Sequence, residues 1–144
     1  SSGRAALVRR GLEALVDRLR EGGVRVVLVG GVPEIGWNVP ERLLMQARLA
    51  LPDLAVPTLA DVAARNREAD AILARLAERD GVDHVPLAPM LCRPDCAVTR
   101  DGRPLYRDDD HLSRYGAVAV LGPYLRARIW PGAAAHGSAM AARP

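Results

Sequence analysis

The sequence predicts a single α/β domain built on parallel strands, and three observations carry that prediction. A helix-periodic segment, a Gly-Gly break and a β-branched run follow one another between Ala5 and Gly31; a second short strand recurs after a long helical stretch; and a polar turn, Asp108 to Ser113, feeds an apolar helix. With 144 residues, 49% hydrophobic and 26% charged, the chain has enough apolar material for one core and too much for a disordered segment. Its formal charge of +3 comes largely from arginines spread along the chain. No basic run interleaves with aromatics, which make up only 3% of residues, so no nucleic-acid partner is expected. The chain as given has neither a membrane-length apolar run nor a signal-peptide pattern, and is expected neither to span a membrane nor to export itself.

Leu7, Leu12, Leu15, Val16 and Leu19 recur at helical spacing between Ala5 and Glu21, with Ser1 or Ser2 as the cap and Gly22-Gly23 as the stop. Val24 to Val29 is dense in β-branched residues and ends at Gly30-Gly31, which predicts a buried parallel strand. The segment from Val32 to Pro40 contains Pro33, Gly36 and Pro40, cannot continue the strand, and predicts a loop over the C-terminal edge of the sheet, where ligands gather in open α/β folds. Glu34 and Trp37 are therefore candidate substrate-binding residues, set against a plain surface loop with one tryptophan packed beneath it.

A short helix is expected from Glu41 to Leu51, and a longer one from Thr58, where Asp61 completes a capping box, through Val62, Ala69, Ile72, Leu73 and Leu76 to Gly81. His84-Val85-Pro86-Leu87 predicts a strand beside the first, with His84 as a packed or surface histidine instead of a ligand. The Asp101-Gly102 pair between short extended runs favours a hairpin. Ser113 is placed to cap a last helix carrying Val118, Val120, Leu121, Leu125 and Ile129, which Gly122-Pro123 is expected to kink or shorten. Residues 1–131 then form the domain and 132–144, rich in glycine and alanine, a flexible tail.

The chemistry concentrates in Asp108-Asp109-Asp110-His111. A carboxylate three residues before a histidine at a helix entrance can fold back onto Nδ1, orient the ring, and leave Nε2 free to accept a proton from a hydroxyl nucleophile. The four serines, Ser1, Ser2, Ser113 and Ser138, all lie outside the strand-turn-helix setting that activates an Oγ. A divalent cation held by the aspartates and His111 is disfavoured, because hard-cation sites need further oxygen ligands from elsewhere; no metal is assigned. Cys92 and Cys96 lack the partners for a structural zinc site. They form a local disulfide in an oxidising compartment, which would stabilise by about 2 kcal/mol, or remain two thiols in a reducing one.

Asp108-x-x-His111, followed by Leu112-Ser113 and Gly116-Ala117, resembles the last block of SGNH-type hydrolases, serine esterases and acyltransferases on a flavodoxin-like three-layer α/β/α fold. The order of Val29-Gly-Gly-Val-Pro33-Glu34, Cys92 through Cys96, Pro104-Leu105-Tyr106 and the final block is similar to the C-terminal SGNH domain of bacterial membrane O-acyltransferases that modify cell-surface glycans. The resemblance implies His111 as general base and Asp108 as its acid, with Asp109 and Asp110 outside the acid position. It further implies a glycan or acyl-ester substrate, acetyl as the acyl group, no cofactor, a membrane acyltransferase domain on the same polypeptide, and a periplasmic or other extracytoplasmic location suited to a Cys92–Cys96 bond. The Gly-Asp-Ser nucleophile block of that family does not occur here, and Asn38 and Asn66 lack the context of its oxyanion asparagine. The chain thus corresponds to the C-terminal part of such a fold, expected to be inactive alone. The alternative is a catalytically inactive remnant, a glycan-binding or structural module.

Overall fold

The computed structural model describes residues 2–128, apart from the side chain of Ser2. The elements in chain order are α1 (Ser2–Glu21), β1 (Val26–Val29), α2 (Val39–Leu49), α3 (Leu59–Leu76), β2 (Val82–Val85), α4 (Ala88–Leu91), β3 (Thr99–Arg100), β4 (Arg103–Pro104) and α5 (Arg114–Arg128). They form two compact units, each assembled from two stretches of chain: residues up to 34 with 55–96, and residues 35–54 with those from 97 onward. The expected tail at 132–144, and Ile129 of the last helix, lie outside the described residues.

In the first unit, β1 and β2 pair in parallel with Val26 opposite Val82 and Leu28 opposite His84. Side chains alternate along a strand, so Val26 and Leu28 face one way. There they join Val16, Leu76 and Val82, with Leu12, Leu19 and Ile72 packed around them. The apolar stripe of α1 that reaches this core is therefore Leu12, Val16 and Leu19. Leu7 and Leu15, which share the helical periodicity, are instead 64% and 54% exposed. β1 is half-buried, not buried throughout as expected, since Val29 is 48% exposed. Gly23, at φ +75°, ends α1 in the left-handed turn that lets the Val24 N–H reach the Leu19 carbonyl at 3.0 Å. Across the strand pair, Arg25 holds Asp83 at 2.7 Å.

α3 starts as its cap demands. The Thr58 Oγ accepts the Asp61 N–H at 3.2 Å, and the Thr58 N–H donates to the Asp61 carboxylate at 2.9 Å. The Thr58 hydroxyl, which donates to the same carboxylate at 2.6 Å, and the Thr58 N–H hold the Asp61 carboxyl below its ordinary range. The cap also anchors the cysteine loop: the Leu59 N–H donates to the Pro94 carbonyl and the Cys96 N–H to the Pro57 carbonyl. A disulfide joins Cys92 and Cys96, both buried. Thr58→Ala removes one capping partner and is expected to lower unfolding free energy by about 1 kcal/mol; urea denaturation measures it, and an unchanged midpoint would show that the cap contributes nothing.

In the second unit, β3 and β4 form the hairpin. Asp101 and Gly102 both take positive φ, 50° and 70°, the geometry that twists a two-residue turn in the same sense as its strands. α2 begins at Val39, two residues earlier than expected, because Asn38 caps it through the Glu41 N–H at 3.2 Å and Pro40 is tolerated in the first turn. It ends at Leu49, where Ala50 turns left-handed. α5 continues through Pro123 to Arg128, so Gly122-Pro123 does not shorten it. Ile35, Val39, Leu105, Tyr106 and Val120 are buried here. Burial pushes the Tyr106 phenol up to about 12.

Candidate functional site

The turn from Arg107 to Ser113 is built on its own backbone. The Arg107 N–H donates to the His111 carbonyl at 3.0 Å, and Asp108 folds forward so that one carboxylate oxygen, Oδ1, accepts the N–H of Asp110 at 3.2 Å and of His111 at 2.7 Å. Aspartate favours such turns because its short side chain can substitute for a backbone acceptor two or three residues on. The same folding carries the carboxylate to the ring, where its two oxygens lie 3.2 and 3.1 Å from His111 Nδ1. Desolvation pushes the Asp108 carboxyl up, but the His111 and Asp110 N–H groups and the His111 ring together outweigh it and hold it below its ordinary value. At neutral pH Asp108 is therefore ionised. An ionised acceptor on Nδ1 selects the tautomer with its proton there and leaves the Nε2 lone pair open. His111 is 58% exposed, so that nitrogen is accessible from solvent.

Asp110 also reaches the ring. Its Oδ1 lies 2.6 Å from Nδ1, closer than either oxygen of Asp108, in an ion-pair contact, whereas the ring's hydrogen bonds go to Asp108. Sequence spacing pointed to Asp108 alone. The only signal for Asp110 was the run of three adjacent aspartates, which does not reveal which of them turns toward the ring. Asp108, Asp110 and His111 thus place three potential donor atoms within 4.8 Å of one another, an approach that ring–carboxylate pairing alone accounts for.

The loop before α2 is fastened to this turn. The Ile35 N–H donates to the Asp109 carbonyl at 2.8 Å and the Val39 N–H to the Asp108 carbonyl at 3.2 Å. Gly36, at φ +86°, lets the chain arch between the two bonds, and half-buried Trp37 sits on that arch. Trp37 therefore belongs to the segment hydrogen-bonded to the Asp-x-x-His turn, a proximity that spacing in the sequence did not reveal. Glu34 belongs to the first unit, where its carboxylate pairs with Arg65 at 3.0 Å on the surface.

Ser113 has its hydroxyl fully engaged. It donates to the Pro104 carbonyl and accepts the Gly116 N–H, both at 2.9 Å, so it caps α5 and has no role as nucleophile. Among the described side chains there is accordingly no serine nucleophile beside His111. His84, the other described histidine, is half-buried on β2 opposite Leu28. No described helix is long and apolar enough to cross a membrane.

None of the curated proteins compared matches the chain. Among solved structures, the periplasmic domain of a lipopolysaccharide acetyltransferase from Salmonella ser. Paratyphi A is similar in fold, with a TM-score of 0.60 at 15% identity. The superposition covers 84% of this chain and 50% of that one, so the chain spans about half the length of its structural neighbour. Residues 2–126 match the family described as the SGNH domain fused to AT3 domains. With the Asp-x-x-His turn at the head of its last described helix and a family match over most of its length, the chain belongs to the SGNH domain family.

Proposed function

We propose that this chain supplies the acid–base half of an acyl-transfer or ester-hydrolysis site that works on sugar hydroxyls of cell-envelope glycans, with acetyl as the acyl group. The observation that carries the proposal is the Asp108 carboxylate on His111 Nδ1, which leaves Nε2 open. A serine from sequence beyond the described residues would attack the ester carbonyl while Nε2 takes its proton, and Asp108 would stabilise the imidazolium. Collapse of the tetrahedral intermediate would expel the alkoxide, to which His111 returns the proton. Water or a sugar hydroxyl would then release the acyl group by the same steps in reverse. Each step is a proton transfer or an acyl shift, so the route calls for no metal or organic cofactor.

Trp37, on the arch fastened to the catalytic turn, is proposed to offer its ring face to a sugar, and Glu34 to contribute a polar contact on the substrate. The fusion described for the family supports a membrane acyltransferase domain on the same polypeptide. The fold of the periplasmic neighbour and the Cys92–Cys96 bond support an extracytoplasmic location. One observation favours a second reading, a glycan-binding module without turnover: Ser113 is spent on capping and no described serine faces His111.

The test is to express the whole natural polypeptide and offer it acetylated glycan. Release or transfer of acetate is expected. Binding without turnover, in a polypeptide whose Asp108–His111 turn is intact, would reject the enzymatic reading in favour of the binding module.

A further inference from the structure

We infer that Asp110 is a second positioning carboxylate for His111, dividing with Asp108 the work that one carboxylate does in an ordinary acid–base pair. The inference rests on the proposal that His111 is the base. It comes from the partners each carboxylate keeps. Asp108 is shared widely: Oδ1 accepts the N–H of His111 at 2.7 Å and of Asp110 at 3.2 Å besides the ring at 3.2 Å, and Oδ2 meets the ring at 3.1 Å and the Arg107 Nε at 3.5 Å. A carboxylate offers about four lone-pair directions, so those of Asp108 are fully used, and the Arg107 guanidinium offsets part of its charge.

Asp110 has the opposite allocation. Among the described residues its carboxylate has one contact, His111 Nδ1 at 2.6 Å. Asp108 therefore shapes the turn and fixes the ring plane, and Asp110 supplies undivided negative charge at the nitrogen that must hold the proton. Charge at Nδ1 favours the proton on Nδ1 over Nε2 and stabilises the ring once Nε2 is protonated, the two conditions a general base of this kind requires. Asp109 makes no side-chain contact with the ring among the described residues; its carbonyl serves the Ile35 N–H instead.

The decisive measurement is the ring tautomer of His111 in the 144-residue chain, read from long-range proton–nitrogen NMR correlations at a pH where the ring is neutral. In the wild type the proton should sit on Nδ1. Asp110→Asn keeps shape and polarity but removes the charge, and should raise the Nε2–H share about twofold or more, with Asp110→Glu restoring the wild-type pattern. A backbone amide spectrum checks folding; should Asp110→Asn not fold, Asp110→Ser removes the same charge and gives the same reading. Ring nitrogen shifts in the charge-removed variant that superimpose on the wild type would overturn the inference. A wild-type ring with its proton on Nε2 would instead remove the base assignment, so the two failures are distinct. In the whole natural polypeptide, Asp110→Asn should lower kcat about 10-fold with KM unchanged, as expected of a residue acting through the base and not on substrate; a rise in KM with kcat unchanged would contradict it.

Discussion

His111→Ala, in the whole natural polypeptide, is expected to lower kcat for acetyl release by about 10³-fold or more while leaving the protein folded. The rate loss follows from removal of the ring whose Nε2 is left open to take the hydroxyl proton: Asp108, held ionised, is committed to the turn and the ring and cannot replace it. The fold should survive because the contacts His111 makes to the turn architecture are backbone ones. Its N–H donates to Asp108 at 2.7 Å and its carbonyl accepts from Arg107 at 3.0 Å, and both persist with alanine. The side chain is 58% exposed, so its removal from the surface should shift stability by only about 0.5 kcal/mol. Steady-state kinetics beside a thermal melt separates the two effects. A mutant that retains activity within about 10-fold, a loss too small for a missing general base, would remove His111 from the mechanism.

Gly116→Ala should be the most destabilising glycine-to-alanine change among the described residues, costing about 3 kcal/mol or more. A Cβ built on Gly116 would lie 2.0 Å from the Leu105 carbonyl oxygen, 2.8 Å from its carbon and 3.0 Å from its Cα. All three are backbone atoms, so no side-chain rotation relieves the clash. Nor can either backbone retreat freely: the Leu105 N–H is bonded to the Val98 carbonyl at 2.9 Å, the Ser113 N–H to the Leu105 carbonyl at 2.8 Å, and the Gly116 N–H to the Ser113 Oγ at 2.9 Å. Moving α5 away would break the cap that positions the helix behind His111. Gly122→Ala is the matched control. There the nearest atom is the end of the flexible Arg126 side chain at 3.3 Å, and alanine's better helix propensity should leave the protein unchanged or up to about 1 kcal/mol more stable. Urea midpoints of the two variants decide the matter, and equal stability for both would mean that α5 does not lie against Leu105 as described.

The two substitutions sit five residues apart in one motif yet test different things. His111 was chosen by chemistry legible in the sequence, whereas Gly116 matters through a contact that only the folded chain creates. The same division runs through the fold. The Thr58–Asp61 capping box, the Asp101-Gly102 hairpin turn, the Ser113 cap and the fold-back of Asp108 onto His111 were all legible, because each is made by groups within three or four residues of one another and so depends on local backbone geometry. The end of α2 and the continuity of α5 through Pro123 were not, since propensity near a proline or a left-handed residue is a weak guide when packing can override it.

What the sequence by itself determined is the α/β class, the capped starts of α3 and α5, and a histidine with a carboxylate at the right spacing, for these follow from periodicity and short-range hydrogen bonding. Tertiary structure alone decided which side chains of an apolar stripe reach the core, leaving Leu7 and Leu15 exposed, and which loop is fastened to the Asp-x-x-His turn, through Ile35 and Val39. The physical reason is range. A cap or a turn is closed by neighbours in sequence, but a backbone N–H some seventy residues from its acceptor finds it only when the whole chain has folded, and the sequence carries no local mark of where it will land.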